Sequence, residues 1–242
     1  GVAVQLNGAI QSFVTNFMTA VNPQITKSYA SGDHDYMFSL IRKSSRMSFY
    51  LLFVLALPVL FNTEYVMSLW LKDVPEHAVL FVQLFLIFTL SECISQPLIT
   101  AMYATGKIRD YQIIVGGLQL LNLPISYILL KLGAIPEVTV IVAIAVSQIC
   151  LFVRLHMLKR SIGISSLEFI RRVYLNVLCV ASVAIVLPLI FLQFDISGFF
   201  GFLIQVSVAF SSAVLSVVFV GCTYTERMEA YDYIINKVVY KR

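Results

Sequence analysis

Charged residues are scarce in this sequence. Asp, Glu, Lys and Arg make up 12% of the 242 residues, whereas an ordinary soluble domain has about 25%. So few charges do not cover a water-facing surface, which excludes a soluble globular domain. The three histidines lie far apart and the four cysteines form no CxxC pair. We therefore predict no metal site, no disulfide framework and no cofactor.

Long apolar runs are what the chain has instead. A helix needs about 20 mostly apolar residues to cross the hydrocarbon core of a bilayer. Seven segments reach about this length: Val2–Val21, Phe49–Trp70, Ala78–Met102, Tyr111–Leu132, Val138–Leu158, Val173–Phe194 and Gly198–Gly221. Because backbone polar groups must be paired within such segments, each predicts a helix. The predicted fold class is all-α: a polytopic integral membrane helical bundle of about seven transmembrane helices.

Basic residues gather in alternate connecting segments. The segments 22–46, 103–110, 154–172 and 222–242 hold four, two, five and four of the 17 Lys and Arg residues. The opposite side has only Lys72 and Lys131. By the positive-inside rule the crowded side, including the 222–242 tail with the C-terminus, is cytoplasmic. The net charge of +4 follows from this topology and gives no reason to expect nucleic acid as a partner.

The chain starts at Gly1, and its first apolar segment begins at once without a basic flank or a signal peptide. A first helix that starts outside with nothing before it is unusual for a bacterial inner-membrane protein. We therefore expect the chain to be a C-terminal fragment of a longer protein.

Polar residues follow one side of the first predicted helix. Spacings of three and four place Asn7, Gln11, Thr15 and Asn16 together. A polar stripe in a membrane helix faces other helices or a water-filled cavity. The stripe therefore predicts either the lining of a substrate path or hydrogen bonds that join neighbouring helices.

Glu92 is the one acidic residue at membrane depth in the predicted spans. It lies 14 residues into its segment, about 21 Å along a helix, with Gln96 one turn further and Pro97 next to it. An intramembrane carboxyl group marks a functional site by default. Glu92 is predicted to couple protons or bind a cation, or to be a protonated carboxyl group bonded to a neighbouring helix. Pro97 predicts a kink.

The fourth and fifth predicted helices add polar and basic candidates. Gln119 and Asn122 are assigned to the same substrate path, and Asn122 with Pro124 predicts a helix break. Arg154, near the cytoplasmic end of its helix, is predicted to extend to the lipid headgroups. Arg154 and the loop residue Arg109 are the alternative candidates for phosphate contacts.

The 22–46 segment is the longest internal loop that the sequence predicts. Asn22 and Pro23 are expected to end the first helix, and Asp33 to cap a new one. Tyr36, Met37, Leu40 and Ile41 follow at helical spacing. The pattern predicts a cytoplasmic amphipathic helix at the membrane interface.

Two stretches resemble a known family. "ITKSYASGD" after Pro23, followed by an amphipathic segment and a basic flank, resembles the polysaccharide flippases, the Wzx-type O-antigen transporters. Their superfamily also holds the multidrug exporters and the lipid II flippase. The matching residues are Pro23, Lys27, Tyr29, Ala30, Gly32 and Asp33. "QPLITAMYATGKIRDYQ" at 96–112 is similar to the family's helix that ends before Gly-Lys.

The resemblance implies the C-terminal lobe of a 12–14-helix, two-lobe transporter. Residues 1–158 would be five helices of the lobe, 173–221 an additional terminal helix pair and 222–242 a cytoplasmic tail. Its cargo would be an undecaprenyl-diphosphate-linked oligosaccharide, flipped by alternating access in the bacterial inner membrane for surface polysaccharide synthesis. Its partners would be this lipid-linked substrate, the bilayer and other polysaccharide-assembly membrane proteins. Basic residues at membrane depth are nearly absent here, in departure from the cationic cavity expected of such flippases.

Three other functions compete with this interpretation. A cation-coupled multidrug exporter suits a central acid such as Glu92. A seven-helix receptor matches the number of spans, but the predicted outer loops contain no cysteine. A membrane enzyme would place acids and bases in large outer loops, and the predicted outer loops at 71–77, 133–137 and 195–197 are short. We therefore expect no enzymatic activity.

Overall fold

The computed structural model describes residues 2–69, 71, 73–193, 198–228 and 231, with side chains described continuously from Gln11 onward. This part of the chain contains helices and no β-strand. Several residues of the sequence interpretation lie outside the described residues: Trp70 and Phe194 at two predicted span ends, Lys72, and Lys237, Lys241 and Arg242 of the tail.

Twelve α-helices follow one another in the described residues from Val2 to Ser216, and residues 224–228 are also helical. They are α1 (Val2–Ala30), α2 (His34–Phe61), α3 (Thr63–Ser68), α4 (Ala78–Cys93), α5 (Gln96–Ala104), α6 (Ile108–Tyr111), α7 (Gly117–Leu120), α8 (Asn122–Lys131), α9 (Val138–Ile162), α10 (Ser166–Phe169), α11 (Leu175–Phe191) and α12 (Gly198–Ser216). Three π-helical segments continue α6, α10 and α12: Gln112–Gly116, Ile170–Tyr174 and Val217–Gly221.

Six helical stretches in the described residues are long and apolar enough to cross a membrane. They are His34–Phe61, Ala78–Ala104, Ile108–Lys131, Val138–Ile162, Ser166–Phe191 and Gly198–Gly221. The prediction of an all-α, multi-pass membrane bundle is confirmed. The one predicted span that is not among these six, Val2–Val21, forms the first part of α1. The 29 residues of α1 are enough to cross a membrane, but polar residues interrupt its apolar run. Its crossing stays a prediction.

The span formed by α2 is the centre of the bundle and the most buried of the six. It contacts α1, α4 and α5 on one side and the α11–α12 pair on the other. The span Ala78–Ala104 packs in turn against α9, and α7 and α8 also pack against α9. The span Ile108–Lys131 is therefore peripheral, with only 11% of its most apolar window buried.

The chain between α1 and α2 corrects the predicted loop 22–46. α1 continues through Pro23 to Ala30, and α2 begins at His34, so only three residues form a turn. A proline removes one hydrogen bond, here to the Thr19 carbonyl, and polar neighbours compensate for this in membrane helices. Next to Pro23, Asn22 forms two other polar contacts: its carbonyl accepts from Thr26 Oγ1 at 3.1 Å, and its Oδ1 accepts from Thr100 Oγ1 at 2.8 Å.

The predicted amphipathic helix is the start of the α2 span rather than a separate interfacial helix. Met37 and Ile41 are fully buried against the bundle, while Tyr36 is exposed. Asp33 caps α2 as predicted, since its Oδ1 accepts a hydrogen bond from the Tyr36 backbone N–H at 3.1 Å. Gly32 makes the turn possible with φ of +75°, a conformation that glycine adopts without strain.

Two spans are interrupted where the sequence predicts it. The span Ala78–Ala104 has a turn at Ile94 and Ser95, directly before Pro97 at the start of α5. The span Ile108–Lys131 has a break at Leu121, next to Asn122 and close to Pro124.

The α11–α12 pair is joined by serines, as small residues at membrane helix interfaces favour close approach. Ser212 Oγ donates to the Ala184 carbonyl and Ser216 Oγ to the Val180 carbonyl, each at 2.7 Å. At the end of this pair Gly221 lies directly against Tyr50 of α2, which donates to the Gly221 carbonyl at 3.1 Å.

Basic residues from separate segments meet at one end of the bundle, which we name the basic end. There the first turns of α2 lie beside Arg171 and Arg172, and Lys107 lies near Arg160 at the end of α9. The connections 73–77, before α4, and 132–137, before α9, lie at the opposite end of these spans.

Candidate functional site

The polar stripe of α1 lies on the outside of the described bundle. Gln11, Thr15 and Asn16 are exposed, whereas Val14 and Met18, between and beyond them, are buried. The stripe therefore does not line an enclosed cavity within the described part of the chain.

The same side chains make no hydrogen bond to another described helix. Thr15 Oγ1 donates to the Gln11 carbonyl of its own helix at 3.2 Å, and Thr19 Oγ1 to the Thr15 carbonyl at 2.9 Å. Asn7 shares the predicted stripe, but its side chain lies outside those that the structure describes. A membrane helix with an uncovered polar face needs an aqueous cavity or a further partner beside it.

Glu92 is the acceptor in a hydrogen-bonded cluster inside the bundle. Ser147 Oγ of α9 donates to Glu92 Oε1, and Gln148 Nε2 donates to Ser91 Oγ. Tyr174 Oη in turn donates to Gln148 Oε1 at 2.7 Å. We name these five residues the Glu92 cluster. It joins α4, α9 and the start of the α11 span at membrane depth.

A cavity of about 200 Å³ opens beside this cluster. Glu92, Ser147, Gln119 and Asn122 line it together with apolar residues. Asn122 Oδ1 accepts a hydrogen bond from Ser126 Oγ at 3.1 Å. The structure thus brings together three of the predicted path residues. A carboxyl group with a hydroxyl donor and two amides around a small cavity suits a proton or a small cation.

Gln96 does not line this cavity, although it stands four residues after Glu92. The turn at Ile94 and Ser95 interrupts the helix between the two residues, so helical spacing does not extend from one to the other. Gln96 is half-buried, and its carbonyl accepts from Thr100 Oγ1 at 3.3 Å.

Arg154 does not extend to the headgroups, and that prediction is wrong. Its side chain is among the most buried of the described residues, with 1% exposed. Its Nε donates to Tyr111 Oη at 3.3 Å, while its Nη1 is buried without a hydrogen-bond partner among the described residues. The span of Tyr111 covers α9 at this level, which removes the route to the headgroups. Arg154 lies two turns beyond Ser147 on α9.

Arg109, the second candidate for a phosphate contact, is exposed in α6 at the basic end. It lies two residues before Tyr111. The structure therefore places Arg109 on the surface and Arg154 inside the bundle, and does not bring the two guanidinium groups into one exposed site.

The motif residues shape the turn between α1 and α2. Lys27 is exposed and Tyr29 half-buried, with the Tyr29 ring centred 5.9 Å from the ring of His34. Pro23 lies inside α1, and Gly32 and Asp33 form the turn and the cap described above. In the second motif Gly106 has φ of +72° and ends α5. Both motifs thus have local structural roles at the basic end.

A further pair, which sequence reasoning missed, lies at the opposite end. His77 Nδ1 is 2.6 Å from Glu137 Oε1, joining the starts of α4 and α9. Glu137 is 2% exposed. The pKa of its carboxyl group is lowered, first by a hydrogen bond from its own backbone N–H and then by His77, while desolvation acts in the opposite direction.

The residues that complete the Glu92 cluster carried a weak signal. Ser147 and Gln148 are adjacent polar residues in an otherwise apolar segment, and this pair is visible in the sequence. Tyr111 and Tyr174 could not be distinguished from interfacial aromatic residues by sequence. Among the described residues, no three His, Cys, Asp or Glu side chains are grouped so that they could hold a metal ion.

Comparisons of the chain with protein-family models, with curated proteins and with solved structures found no match.

Proposed function

We propose that this chain is one lobe of a transporter that flips a lipid-linked oligosaccharide across a bacterial inner membrane by alternating access. The observation that carries the proposal is the uncovered polar face of α1. Gln11, Thr15 and Asn16 are exposed on a helix of 29 residues within a membrane bundle. Facing lipid, these side chains would be costly. Facing a water-filled path between two lobes, they are solvated and available to the sugar hydroxyls of a cargo.

The sequence resemblance supports the same function. The two stretches that resemble the family form the turn at 31–33 and the end of α5 at Gly106. At both positions the family's pattern connects one helix to the next. In this proposal the basic end is cytoplasmic, and the cargo enters there along α1.

The test is restoration of surface polysaccharide in a bacterial strain that lacks its own flippase. We expect the protein expressed at full length to restore the polymer. The double substitution Thr15→Leu/Asn16→Leu should reduce the restored polymer about tenfold, because it removes hydrogen-bonding groups from the path.

A matched control is Ser182→Leu/Ser207→Leu, which changes two exposed polar residues of α11 and α12 in the same way. It should restore the polymer as well as the unaltered protein does. Equal loss in both double variants, or full restoration by Thr15→Leu/Asn16→Leu, contradicts the proposal.

One observation favours a second candidate, a cation-coupled exporter of small molecules. Glu92, Gln119 and Asn122 line a cavity of about 200 Å³, which is too small for an oligosaccharide but suits a coupling cation. If this candidate is right, cells expressing the protein should extrude a cationic dye in a manner that depends on Glu92, without restoring polysaccharide.

A further inference from the structure

A second polar site lies at the basic end of the bundle. There the first turns of α2, the start of the α11 span and residues 223–226 after α12 surround a cavity of about 500 Å³. We name it the basic pocket and define it by the charged side chains that line it: Arg42, Lys43, Arg46, Arg171, Arg172 and Glu226. No member of the Glu92 cluster lines this pocket.

The arginines of the basic pocket outnumber the acids that they contact. Glu168, just outside the pocket, accepts from Arg42 at 3.3 Å and lies 3.1 Å from Arg172. Glu226 pairs with Arg46. The four arginines of the pocket thus meet two glutamates, which leaves an excess of two positive charges from the arginines alone. Such an excess favours an anionic occupant.

Hydrogen-bond donors remain available in the pocket. Arg171 is exposed and forms no hydrogen bond or ion pair with the described residues. Arg46 uses Nη1 and Nη2 for Gly221 and Glu226, and its Nε is buried, so the accessible donors are those of the exposed residues Arg171 and Arg172. Guanidinium groups bind phosphate oxygens with paired N–H donors. The chemistry of the pocket therefore matches a phosphate group.

An apolar groove of about 390 Å³ begins one turn deeper along the same two helices. From α2 it is lined by Phe49 and Phe53, three and seven residues beyond Arg46. From α11 it is lined by Val177 and Ala181, which follow the basic pair of the pocket at the start of this span. The groove shares no lining residue with the basic pocket, but it lies next along the same two helices toward the membrane interior. Ser91, Gln148 and Tyr174 of the Glu92 cluster also border it.

We infer that the basic pocket and the groove together bind one anionic phospholipid. Its phosphate lies on the arginines, and one acyl chain lies in the groove. Basic pockets between transmembrane helices bind anionic lipid headgroups for this reason. The site is separate from the α1 face, so the inference does not depend on which cargo the protein moves.

The test measures thermal unfolding of the whole chain, purified in an uncharged detergent, with three additions: dioleoyl phosphatidylglycerol, dioleoyl phosphatidylcholine and inorganic phosphate. We expect phosphatidylglycerol to raise the unfolding temperature in a saturable manner. Phosphatidylcholine, whose headgroup carries no net charge, and inorganic phosphate, which has no acyl chain, should have much smaller effects.

Two pairs of variants locate the site. Arg171→Gln/Arg172→Gln should weaken the apparent affinity for phosphatidylglycerol about 30-fold, since each of the two basic residues near the headgroups contributes on the order of 1 kcal/mol. Lys159→Gln/Arg160→Gln removes an equal charge from an adjacent exposed pair at the end of α9 and should leave the affinity unchanged.

The second pair tests the groove. Ala181→Phe fills it and should weaken the affinity while the arginines remain. Val183→Phe, on an exposed part of α11, should not.

Four results overturn the inference. They are the absence of stabilisation by phosphatidylglycerol, equal stabilisation by phosphatidylcholine, equal stabilisation by inorganic phosphate, and equal weakening in each variant and its matched control. Equal stabilisation by inorganic phosphate identifies a free phosphate as the occupant. The polysaccharide assay is a separate measurement, so failure of the transport proposal does not affect this result.

Discussion

At the scale of single residues, Glu92 is notable for the origin of its neighbours. Its donor Ser147 comes from α9, and the adjoining Gln148 bonds Tyr174 of the next span. A carboxyl group inside a membrane bundle is retained only where such groups stabilise it or where its charge is used. Glu92 also lines the small cavity beside this cluster.

We predict that Glu92→Gln folds but fails in coupling. The Gln carbonyl can still accept from Ser147, so the bundle keeps this contact, while the titratable group is lost. Transport should fall about tenfold, because the variant has no carboxyl group to take up a proton or bind a cation. The measurement is cargo or dye transport by reconstituted protein across a pH series. Glu64→Gln, the same change at an exposed residue of α3, should transport as the unaltered protein does. Normal transport by Glu92→Gln at every pH would falsify the coupling role.

The His77–Glu137 pair predicts a pH dependence of stability. The pKa of Glu137 is lowered in the folded protein, so its carboxylate stabilises the fold above the ordinary Glu pKa of about 4.3. That contribution is lost as the pH falls toward the lowered pKa. Glu137→Gln should therefore reduce the drop in unfolding temperature between about pH 6 and about pH 3.5. Glu76→Gln, an exposed neighbour of His77, is the control and should keep the full drop. An unchanged drop in Glu137→Gln would show that another group is responsible.

Single residues also show where the sequence interpretation reached its limit. Asp33 was predicted as a cap because the signal is local. Arg154 was predicted to extend to the headgroups because its position near a helix end is visible in the sequence. Its burial depends on Tyr111 from another span, and such a contact has no local signature. The spacing of its polar residues predicted the polar face of α1, but it did not predict that this face is exposed rather than packed against another helix.

At the scale of elements, the prolines show that a local residue type alone does not decide whether a helix is interrupted. Pro97 and Pro124 lie next to helix breaks, as predicted. Pro23, Pro58 and Pro188 lie inside continuous helices. The missing N–H is equal in all five, so the outcome depends on how neighbouring groups satisfy the freed carbonyl. Apolar segments longer than 18 residues predicted the existence of six spans, since bilayer thickness fixes their length. The second span, however, runs from His34 to Phe61 rather than from Phe49 to Trp70.

The close contact between Gly221, after α12, and Tyr50 of α2 leads us to predict that substitution of Gly221 destabilises the protein. A Cβ added at Gly221 would lie 2.8 Å from the Tyr50 ring, so Gly221→Ala must displace Tyr50 and its hydrogen bond to the Gly221 carbonyl. Such overpacking costs about 1–3 kcal/mol. We expect a lower unfolding temperature in detergent. Gly117→Ala adds the same methyl group where no atom lies within 4 Å and should not destabilise the protein. Equal unfolding temperatures for the two variants would contradict this packing.

At the scale of the whole molecule, the alternation of basic and non-basic connections predicts the orientation. We propose that the basic end faces the cytoplasm. In a chain whose four cysteines are replaced by serine or alanine, we introduce Glu76→Cys or Arg109→Cys, both at exposed positions near opposite ends of their spans. A membrane-impermeant maleimide should label Glu76→Cys in intact spheroplasts and Arg109→Cys only after lysis. The reverse labelling pattern would invert the proposed topology.

The three-residue turn between α1 and α2 has a consequence for biogenesis. α1 carries polar residues that lower its tendency to partition from the translocon into lipid, whereas α2 is long and apolar enough to cross a membrane. Because the two helices are joined so closely and pack along each other, we expect them to enter the bilayer together as a helical hairpin. Integration assays would show this directly: α1 alone should remain extractable by alkaline carbonate, and the segment 1–61 should not. Stable integration of α1 by itself would mean that the helices insert one at a time.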